Sequence, residues 1–256
     1  MKDKIVLVTG GGRGIGRAIA LAFAAEGSRV AITGRTQAAL GQVADEIRKR
    51  GAEALARPCD ITDKRAVEEL QHDVESQFGP VQILVNNAGI APAAGFLEME
   101  DSLWEKVLRV NLTGTYNCCK VFLPKMVASG WGRIINIAST VAKVAYSHIS
   151  AYATSKHAVL GLTRSLAVEV AKSGVTVNAI CPGYVDTETT RENARLMADK
   201  RGKSLDEALD IFRATSPQRR LIDPQEVASL AVVLASETAK GITGQAINVD
   251  GGAVMI

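Results

Sequence analysis

Residues 9–16 read Thr-Gly-Gly-Gly-Arg-Gly-Ile-Gly, directly after a β-branched run at 4–9 and directly before an amphipathic stretch at 14–26. Few folds accommodate so many glycines at a strand-to-helix turn. Without a Cβ the backbone can turn tightly and lets a bulky anion approach the main chain. The helix that follows offers free N–H groups and a partial positive charge at its first turn. The run therefore predicts a parallel α/β sheet whose first crossover cradles a phosphate. No Gly-Lys-Ser/Thr follows it, which excludes a P-loop. A dinucleotide is the expected guest, with Gly10, Arg13, Gly14, Ile15 and Gly16 around it.

The remainder of the chain supports that architecture. Strand patterns at 29–33, 54–58, 82–86, 132–137, 175–180 and 245–249 alternate with helical patterns at 37–50, 64–78, 104–129, 151–172 and 224–235. Such alternation predicts a Rossmann-type, doubly wound parallel sheet of about seven strands with helices on both faces. Apolar runs such as Ile5 to Val8 suit strands buried on both sides. The expectation is one domain spanning 1–256. Residues 187–216 break the rhythm. They are polar and charged, with helical patterning at 189–200 and 205–215, and they follow the C-terminal end of a strand. Ligands of open α/β sheets bind there, so this segment is read as a lid.

Composition excludes several classes. Thirty basic and twenty-seven acidic residues leave a net charge of +3, too slight a field to argue for a nucleic-acid or membrane-surface partner. No apolar stretch is long enough to span a bilayer, and no signal peptide is read at the start. Cys59, Cys118, Cys119 and Cys181 form no Cys-x-x-Cys pair, and with three histidines they suggest no metal cluster. Free thiols in a reducing cytoplasm are expected.

The second strand distinguishes between dinucleotides. A carboxylate at its end is the usual partner of an unmodified ribose 2′-hydroxyl. Here the strand ends Ile-Thr-Gly-Arg35, without one. Arg35 and Arg13 instead suit a 2′-phosphate by charge and forked hydrogen bonding, so NADP(H) is favoured over NAD(H).

Tyr152 and Lys156 are four residues apart in a predicted helix, which places them on one face. A neighbouring ammonium favours the phenolate form and makes a tyrosine usable in proton transfer. Ser139 precedes the tyrosine by thirteen positions.

Taken together, these motifs resemble the short-chain dehydrogenase/reductase family, in its single-domain branch, over essentially the whole chain. The glycine loop matches its cofactor loop. Asp60, followed by Ile61, matches the acidic residue at the adenine. Asn86, Asn87, Ala88 and Gly89 match the motif after the fourth strand. Asn111, Ser139, Tyr152 and Lys156 match the catalytic tetrad. Pro182 and Gly183, with Val185 and Thr187 beyond, resemble the nicotinamide-side loop. The resemblance implies hydride transfer between a nicotinamide and a carbonyl carbon. In it Tyr152 exchanges the proton, Ser139 stabilises the carbonyl oxygen, and Lys156 lowers the tyrosine pKa and holds the nicotinamide ribose. Asn111 anchors a water of the proton relay. It also implies a homotetramer or dimer built on helices 112–129 and 151–172.

The substrate is less legible. The runs at 180–185 and 248–252 look like those of β-ketoacyl thioester reductases and 3-hydroxyacyl dehydrogenases, and the lid resembles that of polyketide ketoreductases. A 3-oxoacyl thioester carried by acyl carrier protein or coenzyme A is expected. Rivals are an NAD-dependent hydroxyacid or sugar alcohol dehydrogenase and a dinucleotide-binding sensor without turnover. Ala91 stands where 3-hydroxybutyrate dehydrogenases use glutamine, and residues 139–142 lack the histidine those enzymes carry. The lid cations Arg191, Arg195, Lys200, Arg201 and Lys203 are candidates for meeting a carrier phosphate, with a solvated helix face as the alternative.

Overall fold

The computed structural model describes residues 1–256. Seven strands form one parallel sheet: β1 (Ile5–Thr9), β2 (Arg29–Gly34), β3 (Ala54–Pro58), β4 (Ile83–Asn86), β5 (Gly132–Ile137), β6 (Val175–Pro182) and β7 (Ala246–Val249). Their spatial order is β3-β2-β1-β4-β5-β6-β7. The order reverses between β1 and β4, and this switch point opens the crevice where α/β sheets bind ligands.

Nine helices cover the sheet. They are α1 (Gly14–Ala25), α2 (Gln37–Lys49), α3 (Lys64–Gln77), α4 (Asp101–Leu108), α5 (Gly114–Ala128), α6 (Ser150–Glu169), α7 (Glu188–Arg201), α8 (Leu205–Arg213) and α9 (Pro224–Ala235). Strand alternation sorts the core into two layers. Val6 and Val8 of β1 join Ile19 and Phe23 of α1, Leu40 and Ile47 of α2 and Leu234 of α9. Ile5 and Leu7 point the other way, toward Leu70 of α3 and Phe122 and Met126 of α5. Both faces are thus dry, as the unbroken apolar strands require. No helix is long and apolar enough to cross a membrane.

Several boundaries differ from the sequence reading. The helical stretch at 104–129 starts earlier, at Asp101, and is split into α4 and α5 by a π-helical turn, Arg109–Thr113. An inserted residue of this kind has no periodicity signature strong enough to read. Strand β6 runs on through Pro182, because it pairs with β7 to its last residue, Pro182 opposite Val249. A proline is tolerated at a strand terminus, where no further ladder donor is needed. Helix α6 stops at Glu169, short of the expected 172.

The lid is a helical hairpin, α7 and α8. It has its own small apolar core, in which Ala194, Ala198, Ala208, Leu209 and Phe212 are buried. Ser204 and Glu207 form a capping box that fixes the start of α8.

Candidate active site

The switch point is held by hydrogen bonds between β1 and the β4 loop. Thr9 Oγ1 accepts the main-chain N–H groups of Asn87 and Ala88, each at 3.0 Å. Asn87 Nδ2 donates to the carbonyls of Thr9 and Gly10, at 3.0 and 3.2 Å. Gly10 has φ +65°, in the left-handed region that favours glycine. A Cβ on Gly16 would lie 2.2 Å from the Gly10 carbonyl oxygen, so helix and loop close only with glycine there.

Two clefts meet above this loop. The larger, 540 Å³, is lined by Gly10, Arg13, Arg35, Asp60, Ile61, Ala88 and Gly89 among others. Arg35 makes no ion pair or hydrogen bond within the chain and is exposed. No carboxylate stands at the end of β2. Neither α1 nor α2 has a side-chain cap at its N-terminus, so their first N–H groups face these clefts unblocked. This donor set fits a dinucleotide bearing a 2′-phosphate. Thr36 and Thr62 also line the cleft. Sequence reasoning missed them, because nothing but the fold brings them to one rim.

The second cleft, 310 Å³, contains Gly14, Ile15, Asn87, Ser139, Tyr152, Lys156, Pro182, Gly183, Val185 and Thr187. Of the residues matched to the cofactor and catalytic motifs, Gly16, Asn86 and Asn111 line neither cleft. Gly16 packs beneath the loop, and Asn111 is buried behind it.

The tetrad converges from three elements. Ser139 follows β5 and caps a 3₁₀ turn, its Oγ accepting the Val141 N–H at 3.2 Å. Tyr152 and Lys156 occupy the first turns of α6, and the Lys156 Nζ lies 5.7 Å from the Tyr152 ring centre. Lys156 is buried, and Nζ donates to the Ile137 carbonyl at 2.7 Å. Burial pulls its ammonium down to about 8, with Cys181 a smaller opposing influence. Burial pushes the Tyr152 phenol above its ordinary value, and the facing Ser139 hydroxyl works in the opposite direction. Cys181 and Tyr184 add smaller upward influences.

Asn111 sits in the π-helical turn. Its Oδ1 accepts the Ile90 N–H at 2.8 Å, and Nδ2 donates to the Ile90 carbonyl at 2.9 Å. Its own carbonyl accepts the Thr115 hydroxyl at 2.8 Å. Asn111 Oδ1 and Lys156 Nζ both border Gly89, 3.1 and 3.7 Å from where a Cβ would sit. Deeper, a buried chain runs from Asn86 to Asn136 to Thr163, each link 2.9 Å, and fastens α6 to the sheet.

The lid meets the glycine loop directly. The Thr187 methyl group lies 3.3 Å from the Cβ position of Gly14, and Arg13 is 4.0 Å from Glu188. Thr189, Thr190 and Asn193 of α7 and Phe212 of α8 line the cleft, and the Tyr184 ring stacks on Phe212 at 4.3 Å. Arg191, Arg195, Lys200, Arg201 and Lys203 do not line it, and Arg191 is held bidentately by Asp186. The lid-side cation in the cleft is Arg220, which sequence reasoning missed. Both its terminal nitrogens bond Glu226, and this pairing holds the carboxyl down to about 2.

The chain matches the short chain dehydrogenase family over residues 4–197. It is 35% identical to a D-beta-hydroxybutyrate dehydrogenase of Cupriavidus necator, covering 98% of each chain. It is 37% identical to a 3-oxoacyl-[acyl-carrier-protein] reductase, FabG, of Staphylococcus epidermidis, over 99% of this chain and 100% of that one. Among solved structures it superposes on a variant of actinorhodin polyketide ketoreductase with NADPH. The TM-score is 0.95 at 39% identity, covering 98% of this chain and 97% of that one.

Proposed function

Because this chain belongs to the short-chain dehydrogenase family, we propose that it is an NADP(H)-dependent oxidoreductase that reduces the ketone of a 3-oxoacyl thioester to the secondary alcohol. The observation that carries this reading is the convergence of Ser139, Tyr152 and Lys156 in a cleft continuous with the glycine loop. Its neighbour carries Arg13 and Arg35 beside the glycine loop and no carboxylate at the end of β2.

When bound, the nicotinamide supplies the hydride. The protein's own residues then place the ketone and manage one proton. The Ser139 hydroxyl donates to the carbonyl oxygen and stabilises the charge that grows there. Tyr152 delivers its phenolic proton to the same oxygen. The buried Lys156 ammonium holds the ribose and stabilises the phenolate left behind. The Asn111 side chain is committed to protein partners, but its carbonyl keeps a second lone pair beside the Thr115 bond, and that oxygen is where a relay water would be anchored.

The lid supports a neutral substrate. Arg220 is committed to Glu226, so the substrate side offers no free guanidinium to a carboxylate. This argues against a short hydroxyacid. A homotetramer or dimer in the cytoplasm fits the same reading. Gly161 in mid-α6 has nothing within 4 Å of its Cβ position, and Val168 on that helix is 79% exposed. A mid-helix glycine costs about 1 kcal/mol relative to alanine, and close approach of a second copy would account for it.

The deciding experiment measures NADPH and NADH oxidation with acetoacetyl thioesters of coenzyme A and acyl carrier protein, acetoacetate, bulky cyclic ketones and sugars. Thioester reduction with NADPH preferred is expected. Preference for acetoacetate or a sugar with NADH would move the assignment to the hydroxyacid or sugar alcohol rivals. Cofactor binding without turnover on any member would indicate a sensor.

A further inference from the structure

We propose that Ser155 is a positioning residue of this site, locking the helical turn that carries Tyr152 and Lys156 onto Asn111 and the β4 loop. The proposal rests on the reading of Tyr152 and Lys156 as the proton-transfer pair.

Ser155 lies beside Lys156 in sequence but points elsewhere. It is fully buried, and its hydroxyl has two partners. It donates to the Tyr152 carbonyl at 2.7 Å and accepts from Asn111 Nδ2 at 3.0 Å. These two bonds settle each other's direction. A hydroxyl has one hydrogen, and the Tyr152 carbonyl can only accept it. Asn111 must then present its N–H, not its oxygen, to Ser155. With that orientation fixed, Oδ1 is left to face the Ile90 N–H, and the second amide hydrogen reaches the Ile90 carbonyl. The Asn111 amide is thereby fully directed, with both hydrogens used and its oxygen engaged.

The consequence is a bonded path from the loop after β4, through the π-helical turn, to the first turn of α6. Each of the three elements carries part of the site: Gly89 and Ile90, Asn111, then Tyr152 and Lys156. A hydroxyl is required in the middle. Alanine would leave a buried Asn111 N–H without its Ser155 partner and cut the link from Asn111 to α6, while the two Ile90 bonds still hold the amide. Tyr152 and Lys156 would keep their helix and lose their registration against the loop. Misplacement by a fraction of an ångström is felt in turnover before it is felt in cofactor affinity.

The test compares Ser155→Ala with Thr163→Val. The second change also removes a buried hydroxyl from α6, where Thr163 accepts from Asn136 at 2.9 Å, but it lies two turns further along. Wild-type reduction of a ketone from the panel establishes the underlying reading, and no turnover in the wild type would defeat that reading rather than this one. Given turnover, Ser155→Ala should lower kcat by about tenfold, the equivalent of one directed hydrogen bond. The KM for NADPH should stay within about twofold. Thr163→Val should lower Tm with kcat near wild type. Ser155→Cys, of similar volume and weaker hydrogen bonding, should fall between wild type and alanine, and it carries the test alone if the alanine variant does not fold. Wild-type kcat in the Ser155 variants, or an equal loss of kcat in Thr163→Val, overturns the proposal.

Discussion

Lys156 Nζ donates to the main-chain carbonyl of Ile137, the last residue of β5, at 2.7 Å. This bond ties a helix ammonium to the end of the strand that leads into Ser139. It is also the only hydrogen bond Nζ makes within the chain, so a charge that has lost most of its water is only partly compensated. Its remaining hydrogens are available to the cleft.

Burial of Lys156 should therefore cost stability. Its ammonium is held at about 8, against an ordinary 10.5 in the unfolded chain. Between these values the unfolded state binds more protons, so the lysine's contribution to stability rises with pH across that window and is constant, at its least favourable, below about 8. Lys156→Met keeps the stem and removes the charge. The variant should be more stable at pH 7 by roughly 3 kcal/mol, the equivalent of the shift, with the gain vanishing above pH 10.5. Its turnover should be lost. Thermal melts of both proteins from pH 7 to 11 check this, and a variant less stable than wild type at pH 7 contradicts it.

Tyr152→Phe preserves the ring and removes the proton. The expected loss in kcat is at least about 10³-fold, with NADPH affinity unchanged. Steady-state rates together with a fluorescence titration of the cofactor separate the two effects. Near-wild-type turnover would remove Tyr152 from the proton-transfer role.

Arg35 has no partner within the chain, so its replacement disturbs no ion pair. Arg35→Ala should raise the KM for NADPH about 10- to 100-fold, since a charge-assisted contact is worth roughly 1.5–3 kcal/mol. The KM for NADH should hardly move. An unchanged NADPH preference would place the 2′-phosphate elsewhere.

Gly161 faces open space in the middle of α6. In a monomer, Gly161→Glu should raise stability slightly through helix propensity. In an assembly packed on this face it should dissociate the oligomer. Light scattering at several concentrations decides, and an unchanged mass above one chain would locate the interface on another face.

Much of this site could be read before the fold was known, because its motifs depend on local geometry. Tyr152 and Lys156 share a face through helical spacing alone. The glycines of the first loop announce a backbone that no side chain can enter, and the Cβ position of Gly16, 2.2 Å from a carbonyl, bears this out. Arg35 is identified by what the end of β2 lacks. By contrast, the π-helical turn at Asn111 rests on one extra residue in a helix and on bonds to Ile90 and Ser155, twenty-one and forty-four positions away. Nothing periodic marks it. Helical spacing brings Lys156 close to Tyr152, but only the fold reveals that burial is the largest influence on both groups.

By itself, then, the sequence determined the class of sheet, the glycine cradle and the placing of Tyr152 and Lys156 on one helix face, since each follows from residue type and short-range spacing. Only the tertiary structure decided which lid residues enter the cleft, that Arg220 is committed to Glu226, and that Ser155 stands between Asn111 and Tyr152. Those relationships depend on distances between segments remote in the chain, and these exist only once the helices have packed against the sheet.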